Sequence, residues 1–125
     1  MKRAILVVDH GSRRPEANEQ LLEVARLVEA QGGPDLVVRH AHMELAPPTI
    51  AEGFEACVEA GATFIVVHPY MLSPGRHAME DIPRHVAEAA ARFPHVRYVV
   101  SAPLGVHPAL AEVVLARCEG LLPRG

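Results

Sequence analysis

Tryptophan is absent from the 125 residues, and only two tyrosines and three phenylalanines are present, so the core must be assembled mainly from aliphatic side chains. Cysteine is scarce too. Cys57 and Cys118 stand far apart, which excludes zinc-finger and Cys-X-X-Cys redox readings and leaves both as small buried hydrophobes. Neither sign of charge dominates: 12 Lys and Arg against 15 Asp and Glu leave a net charge of -3 and a pI near 6.2. Such a chain has no overall basic field with which to recruit nucleic acid or an anionic membrane. No apolar run approaches the roughly 20 residues of a spanning helix. The opening "MKRAILVVDHGSRR" passes from a short apolar segment straight into charge, without the small-residue cleavage site of a secretory leader. A soluble, cytoplasmic protein is expected. Its composition, half hydrophobic and 22% charged, is that of an ordinary globular chain with room for one domain, residues 1–125.

Four apolar runs rich in branched residues alternate with four segments of helical period: "AILVVD" at 4–9, "LVVRHAHM" at 36–43, "TFIVVH" at 63–68 and "VRYVVSA" at 96–102. Short buried strands separated by helices build βαβ units, hence a parallel sheet covered on both faces. The first helix is expected from Pro15, with Leu21, Val24, Ala25 and Val28 on one face, to end at "GGP". The second follows Pro47 and Pro48, repeats Ile50, Phe54 and Cys57 and stops at Gly61. Pro83 is tolerated in a first turn but not in an interior, so the third is placed from Ile82 to Phe93 with Asp81 as N-cap. The fourth opens at Pro108 and should bury Leu110, Val114 and Cys118. Right-handed crossovers then favour a flavodoxin-like α/β fold, a four-stranded parallel sheet in order 2-1-3-4.

Ligands of such sheets bind outside the carboxyl ends of the strands, where the strand order reverses. That rule selects "DHGSRRPE" after strand 1 and "HPYMLSPGRH" after strand 3. His10 sits at the tip of strand 1 and His77 on the same edge of the sheet, so two imidazoles from different loops could converge; imidazole binds borderline first-row metals and accepts a proton near neutral pH. Glu44, after strand 2, is the carboxylate candidate. His68 reads as an orienting partner at the end of strand 3. His40 and His42 share one face of strand 2, deeper in the fold, and His85, His95 and His107 read as surface or cap residues. Tyr70, Met71, Leu72 and Pro74 offer an apolar wall. Arg13, Arg14, Arg76 and Arg84 could ring it with guanidinium groups suited to carboxylates. A metal-capable centre, an apolar wall and carboxylate clamps together suit a flat, polycarboxylated macrocycle. Taken singly, each has a plainer role in a core, an oligomer contact or a solvated surface.

Three stretches, "VVDHGSRRPEANE", "MELAPPTIAEGF" and "HPYMLSPGRHAMEDIP", resemble in order and spacing the sirohydrochlorin chelatase family of the CbiX and SirB type. The resemblance runs through most of the chain. It implies a lyase that inserts a divalent metal, cobalt or iron and conceivably nickel, into sirohydrochlorin for cobalamin or siroheme-type biosynthesis, without an organic cofactor. It implies His10 and His77 as metal ligands, with Glu44 beside them in catalysis. Ser12, Arg13, Tyr70, Met71, Leu72, Ser73, Pro74, Gly75 and Arg76 are then the substrate-binding set. Asp9 departs from the family, which commonly has a small residue there. Longer members resemble two such domains fused, so a homodimer is expected. A cobalt- or nickel-binding carrier or sensor is the alternative reading. Histidine phosphatases, which resemble "RHG", fit poorly because Asp9 would repel a phosphate.

Overall fold

The computed structural model describes residues 1–124. In chain order the elements are β1 (Arg3–Asp9), α1 (Pro15–Gly32), β2 (Leu36–His42), α2 (Ile50–Glu59), β3 (Phe64–Pro69), α3 (Arg76–Ala90), β4 (Arg97–Val100) and α4 (Pro108–Cys118), followed by a 3-10 turn, Glu119–Leu121. The four strands form one sheet, all parallel, in the order β2-β1-β3-β4. The expected topology is therefore observed, and strand order reverses between β1 and β3.

Alternation along β1 divides the core. Ala4, Leu6 and Val8 pack with Ile50, Phe54 and Cys57 of α2 and Ala78, Ile82 and Val86 of α3 on one face. Val7 points the other way, against Leu21 and Ala25 of α1 and Val38 of β2. Phe54 and Cys57 are fully buried; desolvation pushes the Cys57 thiol up to about 12, so it serves as an inert hydrophobe. At the start of α2, Thr49 and Glu52 form a capping box, each side chain accepting from the other's backbone N–H. Gly61, at φ +98°, turns the chain out of this helix.

Two expectations require correction. α3 begins at Arg76, capped by Gly75, rather than at Ile82, so Pro83 lies inside the helix and Asp81 is interior rather than an N-cap. Proline removes one i→i−4 bond, but Ala78, Ile82, Val86 and Ala89 bury a continuous stripe on both sides of it; packing outweighs the missing bond. α4 buries none of its residues. Val114 is 60% exposed, and Cys118 is exposed rather than a core residue. α4 is apolar overall rather than along one distinct face, and none of the described residues buries it. Strand limits agree with expectation to within one residue, except that β4 stops at Val100 rather than reaching residue 102.

Candidate active site

The carboxyl edge of the sheet is built from three loops held by backbone bonds. Gly11 makes the turn out of β1 at φ +89°, and a Cβ there would lie 1.9 Å from the carbonyl oxygen of Glu44. Glycine is needed for both conformation and space. Asp9 Oδ1 accepts the Gly11 N–H at 2.9 Å. Asn18, one turn into α1, fixes the next residue from both sides: its Oδ1 accepts the Ser12 N–H at 3.0 Å and its Nδ2 donates to the Ser12 carbonyl at 2.8 Å. From the loop after β2, Met43 and Glu44 donate to the carbonyls of Asp9 and His10 at 2.8 and 3.1 Å. The loop after β3 is tied to β1 by the Tyr70 N–H, which donates to the Val8 carbonyl at 2.7 Å.

His10, exposed at the tip of this assembly, lines an open cavity of about 370 Å³ with Ser12, Tyr70, Met71, Leu72 and Ser73. Six expected site residues thus share one surface, at the reversal of strand order. Met71 is largely a core residue as well, 8% exposed. Pro74 faces elsewhere, into an apolar cavity of about 410 Å³ under α3 with Ala78, Ile82 and Pro103. Gly75, Arg76 and His77 form the start of α3 outside the His10 cavity. Arg13 and Glu44 are exposed, and Glu44 adds its backbone to the first loop. Arg76 and Arg14 lie near Glu80 and Glu16, at 3.8 and 3.7 Å. Among the described residues, no three His, Cys, Asp or Glu side chains come together as a metal-holding group.

His77 Nε2 lies 2.7 Å from Asp81 Oδ2, one turn along α3, and Arg84 binds the other Asp81 oxygen at 2.9 Å. The Arg84 guanidinium beside Asp81 holds its carboxyl below the ordinary range. This leaves Nδ1 of His77 as the ring atom free to meet a ligand. His68 is half-buried and bonded through Nδ1 to Ser101 Oγ at 2.8 Å, with its pKa lowered by burial. The pKa of His40 is lowered for the same reason. His107 caps α4, accepting the Ala109 N–H at 3.0 Å.

Reading the sequence missed three parts of this construction: the Asn18 pin, the Asp81 partner of His77, and a contact of 2.6 Å between Asp9 and the wholly buried His42. The i, i+4 pair His77–Asp81 carried a local signal, whereas Ser12 and Asn18, six residues apart, follow no such spacing rule. Asp9 and His42 are 33 residues apart and carried none.

The family model described as CbiX matches residues 4–121. A sirohydrochlorin ferrochelatase of Arabidopsis thaliana, chloroplastic by name, is 45% identical over 118 residues, covering 94% of this chain and 52% of the relative. A sirohydrochlorin cobaltochelatase of Methanococcoides burtonii is 32% identical and is matched nearly end to end, 93% of this chain and 94% of the relative. Among solved structures, SirB from Bacillus subtilis with Fe3+ superposes with a TM-score of 0.83 at 38% identity, over 98% of this chain and 49% of that one. The chain spans about half the length of the Arabidopsis relative and of the Bacillus structure.

Proposed function

The chain belongs to the CbiX/SirB-type chelatase family, and from that premise we propose that it inserts a divalent metal, cobalt or iron, into sirohydrochlorin. The observation that carries the reading is His10, held at the strand-order reversal by bonds from two loops and open to a cavity walled by Tyr70, Met71 and Leu72. Insertion needs a partly dehydrated metal presented to the ring and two pyrrole protons removed. His10 and His77 are the proposed metal ligands, and Glu44, exposed beside His10, is the proposed proton acceptor. Imidazoles suit a metal that must be released, because thiolates would hold late divalent ions more firmly. Ser12 and Ser73 are proposed to meet substituents of the macrocycle, while Arg13 and Arg76, both exposed, meet its carboxylates. Pro74 and Gly75 shape the loop between them.

Nickel is proposed as a third metal on the family resemblance, since imidazole donors suit it as well as cobalt and iron. The reaction as proposed uses no organic cofactor. A cytoplasmic setting is supported by two unpaired thiols, Cys57 and Cys118, which fit a reducing compartment. A homodimer is supported by α4, where Val113, Val114 and Leu115 are exposed side by side.

The test is an absorbance time course with sirohydrochlorin and cobalt, using wild type, His10→Ala and His77→Ala. Conversion accelerated by wild type, and lost in both variants with unchanged far-ultraviolet dichroism, is expected. Cobalt binding without acceleration would replace the enzyme by a metal carrier.

A further inference from the structure

His42 is 1% exposed, and a polar side chain so deep in a small core needs a reason. Its Nδ1 lies 2.6 Å from Asp9 Oδ1, while its Nε2 is buried without a partner among the described residues. In a neutral imidazole a hydrogen on Nδ1 faces the accepting Asp9 oxygen. The same Oδ1 accepts the Gly11 N–H at 2.9 Å. One carboxylate oxygen therefore grips the residue after His10 and ties the residue before it to the end of β2. Main-chain bonds complete the clamp: Met43 and Glu44, next after His42, donate to the carbonyls of Asp9 and His10.

We propose that Asp9 and His42 are positioning residues, a buried strut that fixes His10 for metal capture. The proposal rests on His10 being a metal ligand. Without the strut, Gly11, the one residue of this turn with wide backbone freedom, is released on its Asp9 side. His10 then samples many orientations, and metal binding weakens while the sheet stays folded.

The experiment measures cobalt(II) affinity by isothermal titration, and thermal unfolding by circular dichroism, in Asp9→Ala, Asp9→Asn, His42→Leu, His42→Asn and His10→Ala. Asparagine at 42 places an amide N–H near the position of Nδ1, and asparagine at 9 keeps an accepting oxygen. Asp9→Ala and His42→Leu should remain folded and bind cobalt at least about 10-fold more weakly, the usual scale for a residue that orients a ligand. Both asparagine variants should stay near the wild-type affinity. Wild-type affinity in Asp9→Ala and His42→Leu overturns the proposal, as does equal loss in the asparagine variants. If His42→Leu does not fold, the two Asp9 variants decide; if Asp9→Ala also fails to fold, the pair is purely structural and the proposal falls. Normal cobalt binding by His10→Ala would remove His10 as a ligand and the strut's purpose with it. Loss in His10→Ala alone would overturn only the strut.

Discussion

His68 shows how a single side chain ties folding stability to solution conditions. Its ring is half-buried, its Nδ1 is bonded to Ser101, and burial holds its pKa below the ordinary 6.5. Between the folded and unfolded values the unfolded chain binds more protons, so stability rises with pH across that window. The contribution is complete above 6.5 and is lost as pH falls through the lowered folded value; His40 acts in the same direction. Thermal unfolding followed from pH about 7.5 down to about 5 should show a falling midpoint, less steep in His68→Asn. An unchanged slope in the variant would assign the effect to other groups. At this scale the sequence was legible where a residue's role depended on its neighbours. Gly11 followed a strand and preceded a helix, so a sharp turn was required. The role of Asp9 was not legible, because its partner His42 stands on another strand and the pairing exists only once β1 and β2 are in register.

Helices and strands were read with success that followed the strength of their local rules. The branched runs and the proline starts of α1 and α4 located those elements within a residue or two. α3 was misplaced because the rule against interior proline is local, whereas the stripe Ala78, Ile82, Val86 and Ala89 is stabilised by a surface contributed from other parts of the chain. The difference matters for chemistry: starting at Arg76, the helix carries His77 in its first turn and brings Asp81 beneath it. A second helix start offers a quantitative check. Thr49→Ala removes one acceptor of the α2 capping box and should cost about 1 kcal/mol, read as a lower urea midpoint with unchanged m-value. Retention of the wild-type midpoint would mean that the burial of Ile50 and Phe54 fixes the helix end unaided.

For the molecule as a whole, the unsolved surface is α4. Its apolar composition was legible, but composition states only that a surface seeks cover, and among the described residues that cover is missing. If a second copy supplies it, replacing Val113, Val114 and Leu115 together by serine should convert dimer to monomer in sedimentation velocity. Loss of thermal stability at fixed low concentration should be small, since these residues are more than half exposed. Sedimentation of the wild type as monomer at concentrations active in metal insertion would end the dimer proposal.

The distribution of burial along the chain also bears on how the protein is made. Every buried side chain among the described residues precedes Arg97. A nascent chain that has reached β4 already contains these buried side chains, with Tyr98 and Val100 of β4 still to pack against them, and synthesis proceeds at roughly 5 to 20 residues per second, slowly enough for small domains to fold as they emerge. The edge strand β4 and α4, whose Val113, Val114 and Leu115 are exposed, follow that interior in chain order. Synthesis thus places the buried interior ahead of this exposed apolar helix, which shortens the time for which the helix is displayed by a chain that cannot yet fold.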